Sequence, residues 1–249
     1  MPSTLTITGP TFTNYVVKAL PTIPSLQSLA FFGTGGDGIN TNRAAGGPAF
    51  SVLSGAPVYG TNFVSVGLQG GAQAVISCNV PRTAGVLSSG WTWATVGRST
   101  GATSNLTAVT IGDRNGTADN LSQGILMAAT TGNKLYGYSG AFRTTLNTVK
   151  ATSDWHFAAM SYSGGALGTM TVYDFTEDPA AGGPLTYVFT VTQTAGAQTP
   201  HFGATTGEVG ANGADVAFGM VSTAVMTGPA LATLATSVRS FLARRGITC

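Results

Sequence analysis

A succession of short segments rich in β-branched and aromatic residues restricts the fold of this chain more than any other feature. They read NFVSVGL (62–68), AVISCN (74–79), WTWATVGR (91–98), LTAVTI (106–111) and GILMAA (124–129). They continue as KLYGY (134–138), WHFAAMSY (155–162), MTVYDF (170–175), YVFTVT (187–192) and VAFGMVS (216–222). Gly, Asn, Asp or Pro bounds each run, which is how strands are punctuated. Many alternate apolar with polar residues, as a strand with one buried face does. Ten or more such strands, with one helical pattern among them, predict a sandwich or barrel rather than βαβ units.

The composition supports a folded, mostly β domain. The chain has 249 residues, 43% of them apolar, with 12 Phe, 7 Tyr and 3 Trp to fill a core. Only 8% of residues are charged, against the usual quarter or so. The net charge of +2 is thinly spread, and the one basic cluster is Arg239, Arg244 and Arg245. A nucleic-acid surface needs clustered cations to displace counterions, so nucleic acid is excluded as a partner. Low surface charge also gives little protection against self-association, which predicts a homo-oligomer or a place in an assembly. Cys78 and Cys249 form neither a disulfide framework nor a metal spacing, and free thiols are expected. The first residues, MPSTLTITGPTFTNY, lack the basic and apolar regions of a signal peptide, and no apolar run approaches about 20 residues. A soluble protein made without a leader and without membrane insertion is expected.

Residues 1–30 carry Pro2, Pro10, Pro21 and Pro24 and read as an extended N-terminal arm, with one strand near residues 15–19. The remaining domain, 31–249, includes the helical exception. In residues 227–245, TGPALATLATSVRSFLARR, Leu231, Leu234, Val238, Phe241 and Leu242 recur at helical spacing. Gly228-Pro229 marks the start, Arg244 and Arg245 suit the negative end of the dipole, and Gly246 suits the C′ position. This predicts a helix over 228–245 packed as a clamp on a sheet edge.

The stretch DWHFAAMSYSGGALGTMTVYDFT (154–176) holds His156, one of only two histidines. As a hairpin it places Trp155, Phe157, Ala159 and Ser161 on one side and His156, Ala158, Met160 and Tyr162 on the other. No Ser or Cys elbow accompanies His156, so it reads as a sheet residue and no catalytic residue is assigned.

Those residues also carry a likeness. Trp155, His156, Ala158, Met170, Val172, Tyr173 and Asp174 resemble the central hairpin of laminin G-like, concanavalin A-like jelly rolls. Phe175 departs from it where Gly is usual, and the TEDPAAGGP loop is an insertion. GWTWATVGR resembles the aromatic strand of that family, and the last strand and helix, ending in LARRGI, resemble its closing unit. The likeness covers residues 45–249, and this version is similar to jelly-roll proteins of tailed-phage virions. It implies a concanavalin A-like sandwich with one C-terminal helix and an extended N-terminal arm. It further implies a structural or adhesion protein of a phage particle: a tail-tip, fibre or capsid-decorating component. Such a protein is made in the host cytoplasm, sits in the virion with other virion proteins and contacts host surface polysaccharide. A carbohydrate-binding lectin module is the alternative, and a glycan-cleaving enzyme a weaker one.

The enzyme reading lacks its carboxylates. A retaining glycosidase needs two, about 5–5.5 Å apart. The chain has two Glu, Glu177 and Glu208, neither on a strand of that pattern, and no enzyme is expected. For Ca²⁺ the best local set is Asp113, Asn115, Asp119 and Asn120 in GDRNGTADN, with Asp37 weaker; the same residues also make an ordinary turn, so no cofactor is expected unless Ca²⁺ binds there. Lectins of this fold stack a sugar on an aromatic ring and hold its hydroxyls with Asp and Asn. Tyr136 and Tyr138 near Asn133, or Tyr59 with Asn62, have the residue types for this.

Overall fold

The computed structural model describes residues 20–34, 41–69, 72–81, 90–101, 107–114, 121–128, 134–139, 142–148, 150–165, 167–176, 185–192, 199–203 and 212–249. Among them run fifteen strands and one helix. The first five strands are β1 (Leu26–Phe31), β2 (Ser51–Ser54), β3 (Val58–Tyr59), β4 (Val64–Gln69) and β5 (Ala72–Ser77). The middle five are β6 (Trp91–Ser99), β7 (Thr107–Arg114), β8 (Leu121–Ala128), β9 (Lys134–Ser139) and β10 (Phe142–Asn147). The last five are β11 (His156–Tyr162), β12 (Leu167–Asp174), β13 (Leu185–Thr192), β14 (His201–Phe202) and β15 (Ala214–Ser222), before helix α1 (Gly228–Ala243).

The antiparallel strands form two layers. The front layer runs β13-β12-β11-β6-β15, with β1 and β4 sharing the far side of β15. The back layer runs β10-β9-β8-β7-β14-β5, flanked by β2. Strand β4 joins them: Val64 and Val66 pair with β15, then Gly67 to Gln69 pair with β5. Gly67 makes that bend with φ +77° while the Asn212 carbonyl lies 3.0 Å from where a Cβ would project, so a side chain fits neither the angle nor the space. This is a mostly β jelly-roll sandwich with one helix, as the strand spacing predicts.

Two apolar layers hold it together. Between the sheets lie Trp91, Trp93, Met160, Tyr162, Met170 and Val172 of the front and Ile76, Ile111, Ile125, Met127 and Phe202 of the back. On the other side of the front sheet, Phe31, Ala94, Val96, Phe157, Ala159, Phe218 and Met220 meet Leu231, Leu234, Val238 and Leu242 of α1. Phe241 of the helix meets Phe31 at 4.5 Å between ring centroids. The front sheet is therefore covered on both faces. Every residue of β11 and β15 is buried, which is why WHFAAMSY and VAFGMVS are mostly apolar on both faces rather than alternating.

Sequence and structure differ at two boundaries. The helix ends at Ala243 rather than 245; Gly246 turns the chain at φ +77°, and the Ile247 amide donates to the Leu242 carbonyl at 3.0 Å, closing the end. Residues 26–30, assigned to the arm, belong to β1, because Leu29 and Phe31 fill the space between β15 and the helix. The strand expected near residues 15–19 lies outside the described residues. Cys78 and Cys249 are both free thiols, as expected: one faces the core between the sheets and the other the core under the helix. No described helix is long and apolar enough to cross a membrane.

Candidate functional site

The site grows from a tight turn. Strands β3 and β4 form a hairpin, Tyr59 opposite Val64, closed by the Gly60 amide donating to the Phe63 carbonyl at 3.0 Å. The Phe63 ring folds back over the turn, and a Cβ on Gly60 would meet it at 2.4 Å. Glycine at 60 is what lets the ring lie there. Asn62 is fixed from the other end of the chain: Arg245 Nε donates to its Oδ1 at 2.9 Å, and its Nδ2 donates to the Arg245 carbonyl at 2.5 Å.

Beside Phe63, strand register lines up a polar row on the helix side of the front sheet. Asp215 of β15 lies opposite both Ser65 of β4 and Arg98 of β6, and directly opposed residues of antiparallel strands share a face. Ser65 Oγ donates to Asp215 Oδ1 at 2.6 Å. Arg98 Nε and Nη2 both donate to Asp215 Oδ2, at 2.9 and 2.8 Å. The Asp215 side chain is 4% exposed and the Arg98 side chain 34%. Trp155 immediately precedes β11 and takes the guanidinium on its ring, 4.6 Å from the centroid; Phe63 stands 5.6 Å from the same group. The two rings lie 5.8 Å apart. The result is a half-exposed arginine over two aromatic rings, anchored by a buried carboxylate. The turns that present the rings expose Thr61, Ser153 and Asp154. Hydrogen-bonding groups beside rings are the chemistry that holds sugars or small anions.

The other face of the front sheet carries a buried pair. His156 Nδ1 lies 3.1 Å from Asp174 Oδ2, and its Nε2 lies 2.9 Å from the Ala151 carbonyl. Both partners are acceptors, so the imidazolium form, donating from both nitrogens, satisfies the site. Burial works against that charge, but the Asp174 carboxylate and the Ala151 carbonyl outweigh it and raise the His156 pKa. Asp174 Oδ1 accepts the Thr176 amide at 2.9 Å, and Thr176 Oγ1 accepts the Phe157 amide at 2.9 Å. This network ties the 151–156 turn to β12; both ring nitrogens are occupied, and the pair is a framework element.

The sequence-predicted residues are dispersed. Tyr59 is half-buried and packs against the core between the sheets, while Asn62 holds Arg245. Tyr136 and Tyr138 lie on β9, in register with Thr145 and Arg143 of β10; Asn133 and both tyrosine side chains lie outside the described residues. Asp113 is buried on β7 and accepts the Gln123 amide at 2.9 Å; Asn115, Asp119 and Asn120 lie outside the described residues, as do Asp37, Glu177 and Glu208. Among the described residues no group of three His, Cys, Asp or Glu is placed to hold a metal. Phe63, Arg98, Trp155 and Asp215 were not singled out as a site by sequence. Alternation along WTWATVGR puts Arg98 on the face of Ala94 and Val96, but its partners come from three other strands or turns.

No family model and no curated protein sequence matches the chain. Solved structures do. The binding domain of botulinum neurotoxin DC in complex with SialylT superposes with a TM-score of 0.58 at 11% identity, covering 86% of this chain and 52% of that one. A structure described by the dependence of botulinum neurotoxin type C cell entry on two ganglioside molecules gives 0.56 at 12% identity, covering 86% and 51%. A mutant of Trypanosoma rangeli sialidase displaying trans-sialidase activity gives 0.59 at 11% identity, covering 88% and 34%. This chain thus spans about half of the neurotoxin chains and a third of the sialidase chain. At these identities the likeness establishes the jelly-roll fold.

Proposed function

We propose that this protein is a non-catalytic adhesion module that binds cell-surface glycan through its sandwich. The observation that carries the reading is the fold likeness across 86% of the chain to proteins whose structures concern sialylated ligands and gangliosides. The half-buried Phe63 ring and the part-exposed Arg98, backed by the buried Trp155, supply an aromatic contact and hydrogen-bond donors of the kind a sugar needs. The absence of catalysis in this reading is supported by how three carboxylates are used: Asp113, Asp174 and Asp215 are buried and accept framework hydrogen bonds. As part of the same proposal, the module belongs to a tailed-phage particle, as a tail-tip, fibre or decorating component that meets host polysaccharide. The resemblance of the 155–174 hairpin and the LARRGI closing helix to virion jelly rolls supports that setting. Association with copies of itself and with other particle proteins is supported by sparse charge and by exposed apolar positions such as Leu167 and Val188.

A glycan array probed with the intact protein, with and without Ca²⁺, tests the reading, paired with mass spectrometry of the bound glycans. Saturable binding without release of cleaved product is expected. No binding to any glycan, or turnover of one, overturns it.

A further inference from the structure

The Arg98 guanidinium is held open on one side. Its Nε and Nη2 are committed to Asp215 Oδ2, and Asp215 is itself held by Ser65. Among the described residues no hydrogen bond engages Nη1, and the side chain is 34% exposed. The rings of Trp155 and Phe63 lie against the group and Asp215 holds its Nε–Nη2 edge, which leaves the Nη1–Nη2 edge of a part-exposed side chain as an uncommitted, braced fork. A fixed planar fork matches a carboxylate, which accepts two parallel N–H bonds. Close by, Arg245 is pinned to Asn62, the residue next to Phe63. Asp154 is exposed on the turn that carries Trp155 and is an acceptor for a sugar hydroxyl rather than for an acid.

We propose that Arg98, braced by Asp215 and stacked on Trp155 and Phe63, is a subsite for the carboxylate of an acidic sugar. This rests on the glycan-binding reading above and narrows it to glycans bearing sialic or uronic acid. Asp215 neutralises much of the guanidinium charge, so selectivity comes from the geometry of the fork and from contact with the half-buried Phe63 ring. Screening by salt weakens the preference because the site is half-exposed.

The test measures binding of the intact protein, by calorimetry, to 3′-sialyllactose, to a hexuronate oligomer, and to the methyl ester of each. At least one acid is expected to bind about tenfold more tightly than its ester, the worth of one charge-assisted bond pair. Which acid does so distinguishes the two sources of the carboxylate. Arg98→Gln is expected to bring acid and ester to the same affinity, and Arg98→Lys, which keeps the charge but not the fork, to restore only part of the difference. Circular dichroism accompanies both variants; because the acid-against-ester comparison uses the unaltered protein, a misfolded variant does not spoil it. Equal affinity for acids and esters overturns the acidic-sugar subsite while leaving glycan binding intact, as does a preference that survives Arg98→Gln. Failure to bind these sugars and every other glycan overturns the adhesion reading itself.

Discussion

His156 shows how far a single residue is legible in a sequence. Sequence puts it in a sheet and gives it no catalytic task, and alternation assigns its face correctly. Its partner, Asp174, lies eighteen residues on and faces it only because β11 and β12 pair with Ala158 opposite Asp174. The partnership has a thermodynamic consequence. The folded state raises the His156 pKa, so the pair's stabilisation is complete below the unfolded value of about 6.5 and is lost as pH rises through the folded value. Urea unfolding of the wild type and of His156→Gln between about pH 6 and about pH 9 checks this: the stability difference should shrink as pH rises, and a constant difference would refute the assignment. Asp174→Ala, which strands the buried imidazolium, is expected to cost about 3–5 kcal/mol in the same measurement at the acid end. The Arg98 cluster was less legible than His156. Its members come from four separate places in the chain, and one-strand periodicity carries no information about which strand lies next to which.

At the scale of elements, the helix was the most legible feature. Its apolar spacing, its Pro near the start and its αL glycine after the end are all local signals, and the structure realises each. Its last two residues were over-assigned because Arg245 leaves the helix to reach Asn62 and the Phe32 carbonyl. The strands β11 and β15 lack alternation for a reason visible only once the helix is in place: α1 covers the face that would otherwise be wet. The helix is thus a third layer rather than an ornament on an edge. Leu234→Ala empties a fully buried position between α1 and the front sheet and should destabilise the protein by about 2–5 kcal/mol, read by chemical denaturation. The exposed Thr233→Ala on the same helix should change stability by no more than about 0.5 kcal/mol. A small effect at Leu234 would mean that the helix does not clamp the sheet.

The whole molecule separates its two cysteines by the thickness of a sheet. Burial pushes the Cys78 thiol up to about 12 and the Cys249 thiol up to about 11, so neither forms thiolate near neutrality. Native protein should therefore resist Ellman's reagent at about pH 8, with both thiols reacting only on unfolding. Rapid reaction of the native state would show that one of the two cores opens. The jelly roll was legible as a class because strand length and turn residues are written locally. The sheet order was not, because β4 passes from one sheet to the other at Gly67, and nothing in NFVSVGL marks that corner except the glycine. Function stands a level further away: the likeness is one of fold, and the proposed chemistry rests on one part-exposed cluster around Arg98.

That cluster is tested most directly by binding of the fluorescently labelled, intact protein to bacterial cells that carry surface polysaccharide, set against isogenic cells stripped of it. The account predicts saturable binding to the first, little to the second, and loss of binding when Phe63 and Arg98 are replaced in a protein that still folds. Equal binding to both kinds of cell, or none to either, would contradict it.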